Sequence, residues 1–259
     1  MLLTELGVAL KRVGAKILEC RDQGGTNGKW EGTQFKAAAD LIADESMRSE
    51  LKRISTIAIV SEEDVASQSE SRPEEYWLID PIDGTASFVH GFSGFVCQAA
   101  LIRRGVVEMA GVYAPALDKL YLAERGGGAT VNGTPLGVRE PLSECLTLVD
   151  NYPEARGLAA EVMHALPCAT YLESGSIGLK ICLVAEGAAD LFVKDVTVRD
   201  WDVAPPHLIL AEAGGFLSVA AGIPFEYRGC YEKTGVIAAS TRELLERARA
   251  VIQKRGASV

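Results

Sequence analysis

The sequence predicts a mixed α/β fold, and three observations carry that expectation. Leu3, Leu6, Leu10, Val13 and Ile17 recur at helical spacing near the start. Short apolar, strand-like runs then succeed one another from about residue 56 to residue 123. After about residue 140 strands and helices alternate instead.

Residues 4–20 read as an amphipathic helix, Gln23 to Gly28 as a mobile loop by composition, and residues 35–53 as a second helix. Strands are expected near 56–60 and 76–80, then a hairpin-like series near 95–103, 106–113 and 119–123. Gly126 to Gly133 is a turn-rich link. Next come a strand near 146–150, helices at 155–165 and 176–186, a strand at 189–194, a helix at 203–213 and a strand near 235–239. A final helix is expected from Ser240, with Glu243 three residues on as a capping box.

The 259 residues suffice for one large domain or two tightly joined halves. We expect one continuous unit with halves at 1–140 and 141–259, the first carrying most candidate ligands. A net charge of −9 argues against a nucleic acid polymer as partner. Lys11, Arg12 and Lys16 interrupt the first apolar segment, so a signal peptide is not expected. With no stretch as long as a membrane span, a cytoplasmic protein without a membrane partner is expected. Cys20, Cys97, Cys145, Cys168, Cys182 and Cys230 form no Cys-x-x-Cys pair and read as reduced core thiols. His90, His164 and His207 lack metal-ligand spacing.

The chemistry concentrates in Trp77-Leu78-Ile79-Asp80-Pro81-Ile82-Asp83-Gly84-Thr85. An apolar strand is expected to end at Pro81, leaving Asp80 and Asp83 at its carboxyl end. Gly84 to Ser87 has the composition of a turn opening a helix, whose first amides could meet an anion. Carboxylates for hard cations beside amides for phosphate describe a metal-assisted phosphoryl-transfer site. Ordinary turn acids are the plainer alternative for a bare Asp-x-x-Asp. Two further acidic sites sit at element boundaries, however: Ser61-Glu62-Glu63-Asp64 and Trp201-Asp202.

These strings, with Gly126 to Gly133, Gly175 to Lys180 and Ala211 to Gly215, resemble the inositol monophosphatase superfamily in order and content. The resemblance implies an α/β (α+β) fold layered as an αβαβα sandwich, with the site where the two halves meet. It implies two or three Mg²⁺ ions, Li⁺ sensitivity and a possible homodimer. Glu62, Asp80 and the Ile82 carbonyl would hold one ion, and Asp80, Asp83 and Asp202 a second. A third would lean on Glu62 and water. The amides of Gly84 and Thr85, next to Asp83, would cradle phosphate. Thr85, paired with Asp40, would activate water, so Asp40, Thr85 and Glu62 are the expected catalytic residues. Taken alone, Asp40 could equally be a surface carboxylate on its helix, and Asp202 an N-cap.

Asp195 lies seven residues before Asp202, where inositol monophosphatases carry a hydroxyl-binding acid, but counting from Asp190 puts Lys194 there. Ser176 and Lys180 resemble the bisphosphate nucleotidase branch, where a lysine could meet a second phosphate; Lys180 could equally be a solvated helix residue. The expected function is Mg²⁺-dependent hydrolysis of a small phosphate ester, inositol monophosphate or a similar polyol or sugar phosphate. A 3′(2′),5′-bisphosphate nucleotidase and a non-catalytic binding protein on the same fold are the alternatives.

Overall fold

The computed structural model describes residues 2–23, 28–31, 34–69, 71–140 and 145–256, with backbone alone for 28–31, 34–37 and 255–256. Helix α1 (Leu2–Asp22) is followed by the hairpin β1 (Gly28–Glu31) and β2 (Gln34–Ala37), then α2 (Ala38–Ile54). Next come β3 (Ala58–Ser61), β4 (Glu75–Asp83) and the short α3 (Thr85–Val89). The meander β5 (Val96–Arg103), β6 (Val106–Ala114), β7 (Lys119–Glu124), β8 (Gly128–Val131) and β9 (Thr134–Pro135) completes the first sheet. Its order is β3-β4-β5-β6-β7-β8-β9, parallel between β3 and β4 and antiparallel thereafter.

The second sheet begins with β10 (Leu146–Asp150), α4 (Leu158–Ala165) and β11 (Cys168–Glu173). It continues through α5 (Ile177–Ala185), β12 (Leu191–Arg199), α6 (Asp200–Glu212), β13 (Phe216–Ser218), β14 (Glu232–Ala239) and α7 (Arg242–Gly256). Its strand order is β11-β10-β12-β14-β13.

Three apolar cores give the layering. Leu6, Leu10, Val13 and Ile17 of α1, with Met47 and Leu51 of α2, pack on Trp77, Ile79 and Leu101 of the first sheet. On that sheet's other face Leu78, Ala100 and Val112 meet Leu179 and Ile181 of α5, Val203 and Ile209 of α6, and Phe192 and Val236 of the second sheet. Leu158 and Val162 of α4 and Leu244 and Ala248 of α7 cover the outer face, against Leu148, Val193 and Ile237. Helices, sheet, helices, sheet, helices: this is the αβαβα sandwich. Alternation along each strand feeds one residue to each neighbouring core, as Leu78 and Ile79 show.

Several boundaries differ from the sequence reading. The helix expected from 35 begins at Ala38, because Gln34–Ala37 pair with Gly28–Glu31 instead; Gly24 to Asn27 lie outside the described residues. Gly128–Val131 forms a strand inside the expected link, and β11 and β13 were not foreseen. Helix α6 begins three residues early, at Asp200. Thr241, rather than Ser240, caps α7, accepting from the Leu244 amide at 3.2 Å. Cys145 and Cys230 are exposed and Cys168 is half-buried, so only Cys20, Cys97 and Cys182 are core thiols.

Candidate active site

Pro81 does not end its strand. Strand β4 runs on to Asp83, and its pairing with β5 shifts between Asp80↔Gln98 and Asp83↔Val96. That leaves one extra residue on β4, a bulge that accommodates proline's missing N–H and re-aims the two aspartates. Because β3 runs parallel to β4, Glu62 emerges at the same end, its amide bonded to the Ile79 carbonyl at 3.2 Å. The Glu62 turn is tied down from below: Arg48 bridges Asp44 at 2.7 Å and Asp64 at 3.0 Å, and the Ser61 hydroxyl donates to Asp44 at 2.5 Å.

Asp202 arrives from the second half. It is the third residue of α6 rather than its N-cap, and its Oδ2 accepts from the Arg199 amide at 2.7 Å. Carboxylate oxygens of Glu62, Asp80 and Asp202 all lie within 4.8 Å of one another. Asp80 is buried, and neither of its oxygens receives a hydrogen bond. Burial, then the charges of Glu62, Asp83 and Asp202, push its pKa well up. Asp202 is raised likewise, by burial and then by Glu62 and Asp83. A contact between the Asp80 and Glu62 carboxyl groups raises the Asp80 pKa further, and a buried carboxylate that no donor reaches, among other carboxylates, is costly unless a cation joins it. An all-oxygen donor set suits Mg²⁺. The residues present therefore fit the Mg²⁺ that the resemblance implies.

Asp83 has a second engagement. Its Oδ2 accepts from the Gly178 amide at 2.6 Å, in the first turn of α5. Burial raises its pKa, and that amide and Lys180 hold the rise back. Gly178 is required at this contact: a Cβ there would strike Gln98 Oε1 and stand 3.0 Å from Asp83 Oδ2. Gly84 adopts φ +93° at the mouth of α3, a conformation glycine tolerates. The Thr85 hydroxyl faces two acceptors, the Ile82 carbonyl at 3.2 Å and Asp40 Oδ1 at 3.3 Å. Asp40 is only 3% exposed, which removes the surface-carboxylate alternative.

The candidate substrate residues behave differently. Ser176 is the N-cap of α5, accepting from the Leu179 amide at 3.0 Å. Lys180 is 2% exposed, donates to the Gly175 carbonyl at 2.6 Å and lies over the Phe192 ring. Burial pulls its pKa down to about 8. It is therefore not a solvated helix residue. Lys194 turns inward onto Asp150 at 2.8 Å and Asn151 at 2.8 Å, while Asp195 is exposed.

Sequence reasoning missed the clamp behind Asp202. Arg72 reaches Asp200 at 2.6 Å, stacks 3.7 Å from the Tyr231 ring centre and donates to the Gly229 carbonyl at 2.8 Å. Asp200 is fully buried, with Lys233 at 3.5 Å on its other side. Nothing in the spacing of these residues signals that they meet.

The sequence model described as Inositol monophosphatase family matches residues 3–257. Bovine inositol monophosphatase 1 is 33% identical over 233 residues, covering 83% of this chain and 82% of that protein. A putative Nus factor SuhB of Neisseria meningitidis is 30% identical over 227 residues, covering 83% and 85%. The solved structure of a Thermotoga maritima IMPase superposes with a TM-score of 0.80 at 25% identity, covering 96% of each chain.

Proposed function

Because the chain belongs to the inositol monophosphatase family, a family of phosphatases, we propose that it is a Mg²⁺-dependent phosphomonoesterase. Its leading substrate is inositol monophosphate or a similar polyol or sugar phosphate. The observation that carries this reading is Asp80, buried without a donor inside the Glu62–Asp80–Asp202 cluster. Two or three Mg²⁺ would be held by Glu62, Asp80, the Ile82 carbonyl, Asp83 and Asp202. When bound, they would neutralise the phosphate, stabilise the leaving oxygen and acidify a water.

The chain's own groups supply the rest. The amides of Gly84 and Thr85 orient the phosphate oxygens at the start of α3. Thr85 Oγ1 aims the attacking water, and Asp40 receives the proton that Thr85 relays. Both acceptors of Thr85 are preformed, so the hydroxyl needs no reorganisation. The proposal includes a cytoplasmic, Li⁺-sensitive homodimer. Among the described residues no helix is long and apolar enough to cross a membrane. The halves at 1–140 and 141–259 supply the Asp80 and Asp202 sides respectively, as the change of sheet between β9 and β10 supports.

The placement of Lys180 speaks against the bisphosphate nucleotidase alternative. A relative named as a putative Nus factor keeps a second reading in view, a binding role on the same fold, for which loss of catalysis is the alternative to be tested. A substrate panel decides between them. Phosphate release should be fastest from myo-inositol 1-phosphate, slower from fructose 1,6-bisphosphate and histidinol phosphate, and slowest from adenosine 3′,5′-bisphosphate. Release from none of these with Mg²⁺ would favour the binding role.

A further inference from the structure

Helix α6 contains two consecutive prolines, Pro205 and Pro206, in its interior. An interior proline lacks the N–H that should bond to the carbonyl four residues earlier. Here the carbonyls deprived are those of Trp201 and Asp202. They lie in the first turn of α6, at the candidate ligand itself. Trp201 is buried, and a buried acceptor without a donor is costly.

Gln98 fills the gap. Its side chain is completely buried, and Nε2 donates to the Trp201 carbonyl at 2.9 Å and the Asp202 carbonyl at 3.4 Å. A primary amide carries two N–H donors, one for each carbonyl. The reverse orientation would set Oε1 against two carbonyl oxygens, so the hydrogen-bond network itself assigns the amide. The cost is visible on the other side, where Oε1 is buried without a partner. Gln98 is also the register partner of Asp80 across β4 and β5. One residue thus joins the strand carrying Asp80 to the turn carrying Asp202.

We propose that Gln98 is a positioning residue: its amide replaces the two backbone donors that Pro205 and Pro206 withhold, and so fixes Asp202 opposite Asp80. The metal part of this inference rests on the reading of Asp202 as a ligand. Gln98→Leu removes both donors at similar volume. Pro205→Ala with Pro206→Ala restores the backbone donors. The four combinations form a cycle with two readouts, Mn²⁺ binding followed by electron paramagnetic resonance and urea unfolding of the metal-free protein.

With the prolines present, Gln98→Leu weakens Mn²⁺ binding at least tenfold and lowers the unfolding midpoint. With both alanines in place the same change alters Mn²⁺ affinity less than threefold, and the midpoint loss largely disappears. A Gln98→Leu chain that folds only in the alanine background reports the same coupling. Equal losses in both backgrounds would overturn the inference by reducing Gln98 to packing, and so would no loss in either. A wild-type chain that binds no Mn²⁺ would overturn the metal reading and the Asp202 part with it. The unfolding cycle would still decide whether Gln98 replaces the missing donors.

Discussion

Replacing Asp80 with asparagine should stabilise the metal-free protein while destroying its metal site. Two carboxylates within 4.8 Å of each other, both ionised, repel by about 3.5 kcal/mol at an effective dielectric constant near 20. Asp80 faces Glu62 and Asp202 at that range and receives no hydrogen bond in return. Partial protonation relieves some of this repulsion, since the pKa values of Asp80 and Asp202 are pushed well up. Asparagine removes the charge and offers two donors to the neighbouring carboxylates. A net gain of about 1–3 kcal/mol should raise the melting temperature of the metal-free protein by about 3–10 °C.

The sign follows from linkage. The folded state holds these protons more tightly than the unfolded chain. The acids' contribution to stability is therefore complete below the ordinary carboxylate range and is lost as pH rises through the raised values. The advantage of Asp80→Asn should grow from acid to neutral pH. Saturating Mg²⁺ should reverse the ranking, since a ligand at a hundred times its Kd adds about 2.7 kcal/mol to the wild type alone. Scanning calorimetry of both proteins in EDTA and in Mg²⁺ measures all four values. If the metal-free Asp80→Asn protein melted below wild type at neutral pH, Asp80 would be a net stabilising charge and not a repelled one.

Asp83→Asn should lower kcat at least a hundredfold with the fold retained, since the amide oxygen can still accept from Gly178; steady-state kinetics and circular dichroism test both halves. Lys180→Met should leave the substrate ranking unchanged. In wild type, Lys180 with its pKa lowered to about 8 favours folding increasingly as pH rises from there towards the free lysine value. That alkaline rise should be smaller in the methionine variant by urea denaturation. Arg72→Leu should cost about 3–5 kcal/mol in unfolding free energy by leaving Asp200 short of its closest cation, with the double change Arg72→Leu, Asp200→Leu milder.

What the sequence made legible was set by range. The chemistry of the Trp77 to Thr85 string is local, and its acids lie where a strand end would put them. Helix α1 announces itself by the period of Leu3, Leu6, Leu10, Val13 and Ile17. Short edge strands such as β13 carry too few residues for a period, and β11 is half-exposed, so alternation gave no contrast there. Pro81 misled because proline is compatible with a bulge as well as with a strand end. Of the two readings open for Lys180, the solvated one fails because its register on α5 points it inward onto Gly175. The Arg72–Asp200 clamp and the Gln98 amide join residues more than a hundred positions apart, which no local pattern encodes.

Phosphate release by this protein should depend on a divalent metal. The protein would be stripped with EDTA, assayed on myo-inositol 1-phosphate, and assayed again as Mg²⁺ is added back. The stripped protein should release no phosphate, recover with added Mg²⁺, and be inhibited by Li⁺ and by excess Ca²⁺. Full activity in EDTA would contradict that dependence, as would a Mg²⁺-loaded protein that releases no phosphate.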